Sequence, residues 1–453
     1  MNLFLVLVIY IIILIAIKNY INDYISKFIL ITFSSYWCIS LGVSTFSPFG
    51  LFQVHTSSYL LLLTGVLSFV FGMCSVRHKK KLANIDLSYI HNVLCKMISS
   101  KWLIIIYIVS ILYLFKYAMN AIAVAALQGF ADTSDQYNLI FQGNSMAQMV
   151  YGYILMPLFH MSLILMSYYF LNFKKVGIKY LPQILIYVAN LLVFIAIGGG
   201  RSTVVIVGLY LLITYVFLTP REKLFKLSIK KFFYIVGVTA LIVYAVSLVS
   251  NYRDTGSFVV EEDSDNKGQG LELLARYSLL PYVLFDYGIQ HDYLDKFGYQ
   301  FGKATFLGFD NWIYIPMKVM GIHYETCDNI VKYLDNTWIP YDRSGTTANY
   351  AYTGILYHYL DFGIIGVVFF PFLFGYLFRK IILSTYKKPV FSSLLLLSMC
   401  FFLTMHSVFS CYLIKGWTGL YLAILFFVRI LEKGKMTSAK LRIQGQTNKN
   451  QGK

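Results

Sequence analysis

The 453-residue chain is 58% hydrophobic and 13% charged, and its mean hydropathy is +0.64. These values exclude an ordinary soluble domain and indicate a polytopic membrane protein. The net charge of +17 does not indicate nucleic-acid binding, because the basic excess lies in short connections between apolar segments.

The apolar segments predict an all-α membrane protein with about eleven transmembrane helices, taking about 20 residues for each crossing. The predicted spans lie near 3–18, 27–47, 57–76, 102–126, 148–172, 180–198, 202–219, 231–250, 360–379, 391–408 and 411–431. Spans one to eight thus occupy residues 1–250, and spans nine to eleven occupy residues 350–432.

Basic residues cluster in every second connection, after the third, fifth, seventh and ninth spans. The cluster after the ninth span comprises Arg379, Lys380, Lys387 and Lys388, and the tail 433–453 is also basic. The connections 48–56 and 127–147 contain no Lys or Arg. Because positive charge is retained on the cytoplasmic side, we predict an external N-terminus and a disordered cytoplasmic tail.

Residues 251–349 form the one long polar segment. It holds 14 of the 21 acidic residues and eight of the 38 basic ones, so its net charge is −6 against +23 for the rest of the chain. We therefore predict a large extracytoplasmic loop. Within it, Leu271–Gln290 predicts one or two amphipathic helices broken near Pro281. Asn311–Ile322 predicts another, and the acidic residues 261–265 predict a solvated tip.

Four arginines on the predicted outer side are candidate phosphate ligands, since a guanidinium donates two parallel hydrogen bonds and stays charged. They are Arg201, Arg253, Arg276 and Arg343. Arg201 follows three glycines in a predicted tight hairpin, where the N-terminal amides of the next helix add to the anion site.

Each arginine also has a structural explanation. Arg201 could bind lipid headgroups only. Arg276 could pair with Glu272 one helical turn away. Arg343 could pair with Asp342 or be solvated.

His358 and Asp361 are candidate catalytic residues, because their i,i+3 spacing places them on one helix face at the start of the predicted ninth span. A carboxylate beside an imidazole fixes the ring and raises its basicity, as a general base needs. A purely structural pair fits equally well. His406 and Lys415 are weaker candidates, and Asp286 is an alternative base.

The C-terminal motifs resemble those of the oligosaccharide repeat unit polymerases, the Wzy-type polymerases of O-antigen and capsule. The resemblance rests on Asn349-Tyr350-Ala351-Tyr352-Thr353, on Tyr359-Leu360-Asp361-Phe362-Gly363-Ile364-Ile365-Gly366 and on Gly375. Short matches at 199–201, 276–278 and 302–306 extend it over roughly 198–376.

This resemblance implies a GT-C-like, metal-independent glycosyltransferase without a cofactor in the bacterial cytoplasmic membrane. Such an enzyme moves a growing glycan from undecaprenyl pyrophosphate onto the next lipid-linked repeat unit. It also implies Arg201, Arg253 and Arg276 as outer-face arginines, and a chain-length regulator and a flippase as partners besides membrane lipid. A flippase or transporter of lipid-linked glycans, and an O-antigen ligase, remain alternatives. The six cysteines show no disulfide or metal-binding pattern.

Overall fold

A computed structural model describes residues 2–77, 88–128, 139–198, 201–219, 269–349, 352–387 and 389–432. Within these ranges the protein is an all-α membrane protein with one β-hairpin, whose two strands have two residues each. The helices before the polar segment are α1 (Asn2–Tyr20), α2 (Tyr24–Ser44), α3 (Thr56–Ser75), α4 (Ser88–Ile98), α5 (Lys101–Gln128), α6 (Ser145–Leu171), α7 (Phe173–Val176), α8 (Leu181–Gly198) and α9 (Arg201–Leu218).

The described part of the polar segment, residues 269–349, is called the insert below. It contains α10 (Gln269–Gln290), α11 (Tyr293–Phe297), α12 (Leu307–Val319), α13 (Asp328–Asn336) and the antiparallel strands β1 (Ile339–Pro340) and β2 (Thr347–Ala348). The chain continues with α14 (Gly354–Phe362), α15 (Ile364–Lys387), α16 (Phe391–His406) and α17 (416–432).

Among the described residues, seven helices are long and apolar enough to cross a membrane. They are Asn2–Tyr20, Tyr24–Ser44, Thr56–Ser75, Lys101–Val124, Ser145–Leu171, Ile178–Ile197 and Ile364–Lys387, and shorter apolar helices cover Val205–Leu218 and Phe391–His406. The predicted span 231–250, the acidic tip 261–265 and the tail 433–453 lie outside the described residues. The total of eleven spans therefore stays a prediction.

The tightest helix contact joins α3 to α15, which pack against each other more extensively than any other described pair. Two glycines make this possible. A Cβ at Gly72 would overlap the carbonyl oxygen of Phe372, and a Cβ at Gly375 would overlap that of Phe69. Small residues let helix backbones approach closely in a membrane, where lipid is as apolar as a leucine side chain. α1 packs against α3, and α2 contacts both helices.

The ninth span was predicted four residues too early and too short. Gly363 adopts a φ of +59° and ends α14, so the membrane helix α15 starts at Ile364. It then continues through Arg379, which the sequence placed in a basic loop. Arg379 is buried instead and pairs with Asp23, whose carboxylate also caps the first turn of α2. The pair satisfies both charges, so Arg379 can lie buried within α15, which is helical to Lys387.

The insert is more regular than predicted. α10 is a single helix that runs through Pro281 without a break. Its residues 279–285 are buried against α2 and α3, and this burial compensates for the backbone donor that proline lacks. The insert therefore closes one end of the bundle, called the insert end below. The opposite end, where α15 and α17 finish, is called the tail end.

We predict that Gly72→Leu and Gly375→Leu both reduce the yield and thermal stability of the folded protein. The added side chain meets backbone, which cannot rotate away, so the cost should exceed the roughly 1–3 kcal/mol of ordinary overpacking. Thermal unfolding of detergent-solubilised protein, followed by size-exclusion chromatography, measures the effect. Gly152→Ala is the control, since a Cβ there meets no neighbouring atom within 4 Å. Wild-type stability of both leucine variants would contradict the packing.

Candidate functional site

Arg276 is held at the insert end by two other parts of the chain. Its Nη1 lies 3.1 Å from Oδ2 of Asp342, and its guanidinium lies 5.8 Å from the ring centroid of Phe49. The side chain of Arg276 is 29% exposed. One predicted phosphate ligand is therefore fixed in place with part of its surface accessible.

Asp342 organises the turn between β1 and β2. Its Oδ1 accepts hydrogen bonds from Ser344 N (3.0 Å), Ser344 Oγ (2.6 Å) and Thr346 N (3.0 Å). Burial acts to raise the pKa of Asp342, but these hydrogen bonds outweigh it and hold the pKa below its ordinary value. The carboxylate therefore stays charged opposite Arg276. Arg343 has an exposed side chain, and its backbone N–H donates to Gly50.

The side chains of the other two arginines, Arg201 and Arg253, are not among those that the structure describes. Arg201 is the first residue of α9, but its side chain is not among those described. Arg253 and the glycines at 199 and 200 lie outside the described residues. The convergence of four arginines on one phosphate group therefore stays a prediction.

His358 and Asp361 lie together on α14, each bound to the loop that precedes α12. His358 Nδ1 is 2.8 Å from Thr305 Oγ1. Asp361 Oδ1 accepts the backbone N–H groups of Gly302 and Ala304, both at 2.9 Å, and Oδ2 accepts that of Thr305 at 2.8 Å. Thr305 therefore contacts both residues, His358 through its hydroxyl and Asp361 through its backbone N–H. The predicted direct orientation of the ring by Asp361 is replaced by the contact between His358 and the Thr305 hydroxyl.

Burial shapes the protonation of this cluster. It lowers the pKa of His358 to about 3, since an imidazolium would lose its water. Burial also raises the pKa of Asp361, and the bonds from Thr305, Ala304 and Gly302 only partly offset it. A histidine that resists protonation is a weak proton acceptor, which makes His358 a poorer general base than its sequence context suggested.

The position of His358 depends on a glycine of the C-terminal motif. A Cβ at Gly366 would overlap the carbonyl oxygen of His358, so α14 can fold back onto α15 only with glycine there. Gly363 supplies the reversal between the two helices. This packing carries His358 to the insert end of a cavity inside the bundle.

A second histidine cluster, which the sequence did not reveal, lies at the same end. His55 precedes α3, and its Nδ1 lies 2.9 Å from Oδ2 of Asp286 on α10. Asp286 also accepts from the backbone N–H of His55 (3.1 Å) and from Ser58 Oγ (2.6 Å). The carboxylate is buried, whereas 61% of the His55 side chain is exposed. A buried carboxylate thus orients a histidine whose ring reaches solvent.

The signal for this pair was weak because 231 residues separate its members. His55 stands in the predicted outer connection 48–56, and Asp286 was named only as an alternative base. Their contact depends on α10 packing against α2 and α3, which periodicity alone does not predict.

Two buried polar pairs join neighbouring membrane helices. His160 on α6 is buried, lies 2.7 Å from the hydroxyl of Tyr210 on α9, and stacks on Trp417 at 4.9 Å. Asn190 on α8 accepts from Ser110 on α5 at 3.3 Å. Both pairs join neighbouring helices, as buried polar side chains do in membrane bundles.

His406 and Lys415 lie on either side of the connection between α16 and α17. His406 ends α16 and packs between the rings of Phe402 and Phe409, each 5.5 Å away. Lys415 is exposed, and its carbonyl oxygen lies against Gly308.

An apolar groove of about 760 Å³ runs through the bundle from the insert end towards the tail end. His358, Phe306 and Ser407 line its insert end, and Ser384 and Arg429 line its tail end. Between them the walls are formed by apolar side chains of α2, α3, α15, α16 and α17, including Trp37, Phe69, Phe374, Leu403 and Phe426. The groove is therefore shaped for an extended apolar chain with a polar group at its end.

Comparison with known proteins identifies no relative, since no family model, curated protein or solved structure matches the chain. Within the described ranges, no group of three or more His, Cys, Asp or Glu side chains could hold a metal ion.

We predict a pH dependence of stability that His358 causes. The pKa of His358 is about 3 in the folded protein and ordinarily 6.5, so the unfolded chain binds more protons between these values. The free energy of unfolding should then fall as pH decreases below about 6.5, by up to roughly 1.4 kcal/mol per pH unit. His358→Gln should remove this component in thermal unfolding between pH 4.5 and 7.5.

His323→Gln is the matched control, because 87% of the His323 side chain is exposed. This variant should keep the wild-type slope of stability against pH. Equal slopes in the His358→Gln and wild-type proteins would show that the buried ring is not the cause.

Proposed function

We propose that this protein is a membrane glycosyltransferase that polymerises undecaprenyl-pyrophosphate-linked oligosaccharide repeat units on the outer face of the cytoplasmic membrane. The observation that carries the proposal is the apolar groove that ends at His358 beneath the polar insert. A polyprenyl chain fits such a groove, and its pyrophosphate and sugars would then lie at the insert. The resemblance of the motifs at 349–366 supports the same class.

The membrane topology is part of this proposal. Eleven spans with an outside N-terminus would place residues 251–349 outside the cytoplasm, consistent with the −6 against +23 charge split. A chain-length regulator and a flippase are the partners expected of such an enzyme.

The donor is already activated, so the protein has two tasks. An acceptor hydroxyl oxygen forms a bond to the anomeric carbon of the donor sugar while the bond from that carbon to the pyrophosphate oxygen breaks. The undecaprenyl pyrophosphate leaves with the electron pair, and a base takes the hydroxyl proton. Arg276 can neutralise the leaving group at the insert, joined by Arg201, Arg253 and Arg343 if they converge there.

His55 is the first candidate for the base. Its Nδ1 lies 2.9 Å from the Asp286 carboxylate, which would leave Nε2 to accept a proton, and its side chain is accessible. In this assignment Asp286 is a positioning residue, because it fixes the ring and stabilises the imidazolium.

His358 and Asp361 form the second candidate. His358 lines the groove, and Thr305 contacts His358 through its hydroxyl and Asp361 through its backbone N–H. Its burial favours a role in holding the insert on α14, and the three backbone bonds to Asp361 serve the same purpose. The two candidates differ in what their variants should do.

A flippase or transporter is the alternative from another class, and the buried pair of His160 and Tyr210 is the observation that would favour it. His160 is not among the residues that line the groove, so the pair does not form a polar pathway there. An O-antigen ligase would share the donor and differ only in the acceptor.

The proposal predicts that purified protein in lipid nanodiscs converts one lipid-linked repeat unit into a ladder of longer lipid-linked glycans. No added metal should be needed. Arg276→Ala should weaken the ladder strongly and Arg276→Lys should restore it only in part, because lysine lacks the bidentate fork. Gel separation of the glycans measures the products. Unchanged substrate that crosses a vesicle membrane would instead indicate a transporter.

For the base, we predict that His55→Gln lowers turnover by roughly 10²–10⁴-fold with a much smaller change in KM. Asp286→Asn should give a smaller loss in kcat, since it affects only the orientation of the ring. His291→Gln, one residue beyond the end of α10, is the control. Full specific activity of His55→Gln, with a loss in His358→Gln per mole of folded protein, would transfer the role to His358.

A further inference from the structure

Arg429 is a buried cation at the tail end of the groove. It lies on α17, is 4% exposed and lines the groove wall. Its Nη2 donates to the carbonyl oxygen of Ile381 (3.0 Å), to Ser384 Oγ (2.5 Å) and to Thr385 Oγ1 (3.3 Å) on α15. All three acceptors are neutral, and among the described residues its buried Nε has no hydrogen-bond partner.

In the part of the chain that the structure describes, no carboxylate lies within ion-pair distance of Arg429. Arg379, on the helix opposite, is different because Asp23 balances its charge. Glu432, three residues from Arg429, accepts instead from the backbone N–H and hydroxyl of Ser392. Arg429 therefore carries a charge that the described protein leaves uncompensated.

A buried guanidinium without a counter-ion is costly at membrane depth, so such groups pair with an anion or face a polar cavity. The cavity in front of Arg429 is apolar, and its walls near this end include Ile381, Leu422, Phe426 and Ile430. The one other cation on the wall is Lys380, whose Nζ lies 4.3 Å from the ring centroid of Tyr376. A cation at the end of an apolar groove is complementary to a lipid with an anionic headgroup.

We propose that the tail end of the groove binds an anionic phospholipid, with its phosphate at Arg429 and an acyl chain along the groove. Basic pockets between membrane helices on the cytoplasmic side bind such headgroups. The groove wall from Pro371 to Ser384 on α15 measures about 20 Å at 1.5 Å per residue. An acyl chain of one leaflet needs only about half of the roughly 30 Å hydrocarbon core. Such an acyl chain would cover most of this wall and leave only the end near His358 open, so a polyprenyl chain that extends further would compete with it. The inference does not depend on the proposed polymerase activity.

Native mass spectrometry of the full-length protein tests this. Delipidated protein is titrated with phosphatidylglycerol or with diacylglycerol of the same acyl chains, which lacks the phosphate. The wild-type protein should retain phosphatidylglycerol at least about tenfold more tightly, since hydrogen bonds to a charged group contribute that much. Arg429→Gln should lose this preference. Lys387→Gln, at the exposed end of α15 and away from the groove, should keep it.

A second variant tests the groove without removing the buried charge. Ala423 lines the groove and is exposed to it, so Ala423→Phe should fill the acyl-chain position and reduce retention of phosphatidylglycerol. Ile424→Phe places the same side chain on the neighbouring exposed position outside the groove, and should bind as wild type does. This pair of variants tests the proposed lipid site even if Arg429→Gln fails to fold.

Three results would overturn the proposal. Equal retention of phosphatidylglycerol and diacylglycerol by the wild-type protein would leave only apolar contact. Displacement of phosphatidylglycerol by an equal concentration of inorganic phosphate would indicate a site for a free anion. Displacement by undecaprenyl phosphate in the wild-type protein, with Ala423→Phe binding phosphatidylglycerol normally, would assign the groove to the polyprenyl chain alone.

Discussion

The close approach of α3 and α15 is the constraint on which the rest of this structure depends. Gly72 and Gly375 let each helix place a backbone carbonyl where any other residue would carry a side chain. At the tail end of this contact the buried pair of Arg379 and Asp23 ties α15 to α2. At the insert end, α14 folds back over Gly366 and brings His358 to the groove. The helix pair thereby forms one wall of the groove and positions both of its ends.

Much of the helical architecture could be predicted from hydropathy, because membrane helices need long apolar segments and little else. The helices at 2–20, 24–44 and 56–75 agree closely with predicted spans. The start of α15 was missed because a left-handed glycine and a charge pair fix its bounds, and neither changes hydropathy. Arg379 is an example of what hydropathy cannot predict. In the sequence it begins a basic connection, but in the structure it is buried because it pairs with Asp23.

The candidate site, too, could be predicted from the sequence only in part. Individual residues with suitable chemistry, such as Arg276 and His358, were recognisable from type and local spacing. Their partners were not, because the contacts join distant segments: Arg276 to Asp342, His358 to Thr305, and His55 to Asp286. Local spacing suggested that Asp361 orients His358, but backbone amides of the insert bind that carboxylate instead. The motif 359–366 therefore holds the insert on α14 through Asp361 and lets α14 pack on α15 through Gly366.

The groove extends from the apolar bundle to the polar insert. The proposed polymerase activity requires that the lipid tail of the glycan donor lie in this groove. A donor with a photoactivatable group in its polyprenyl chain, near the pyrophosphate, tests this directly when it is irradiated with the protein in vesicles. Peptide mapping should find labels on groove residues of α15 and α16 such as Phe374 and Leu403, and excess unlabelled donor should abolish them. Labels confined to the lipid-facing surfaces of α1 and α5, unaffected by competing donor, would contradict the account.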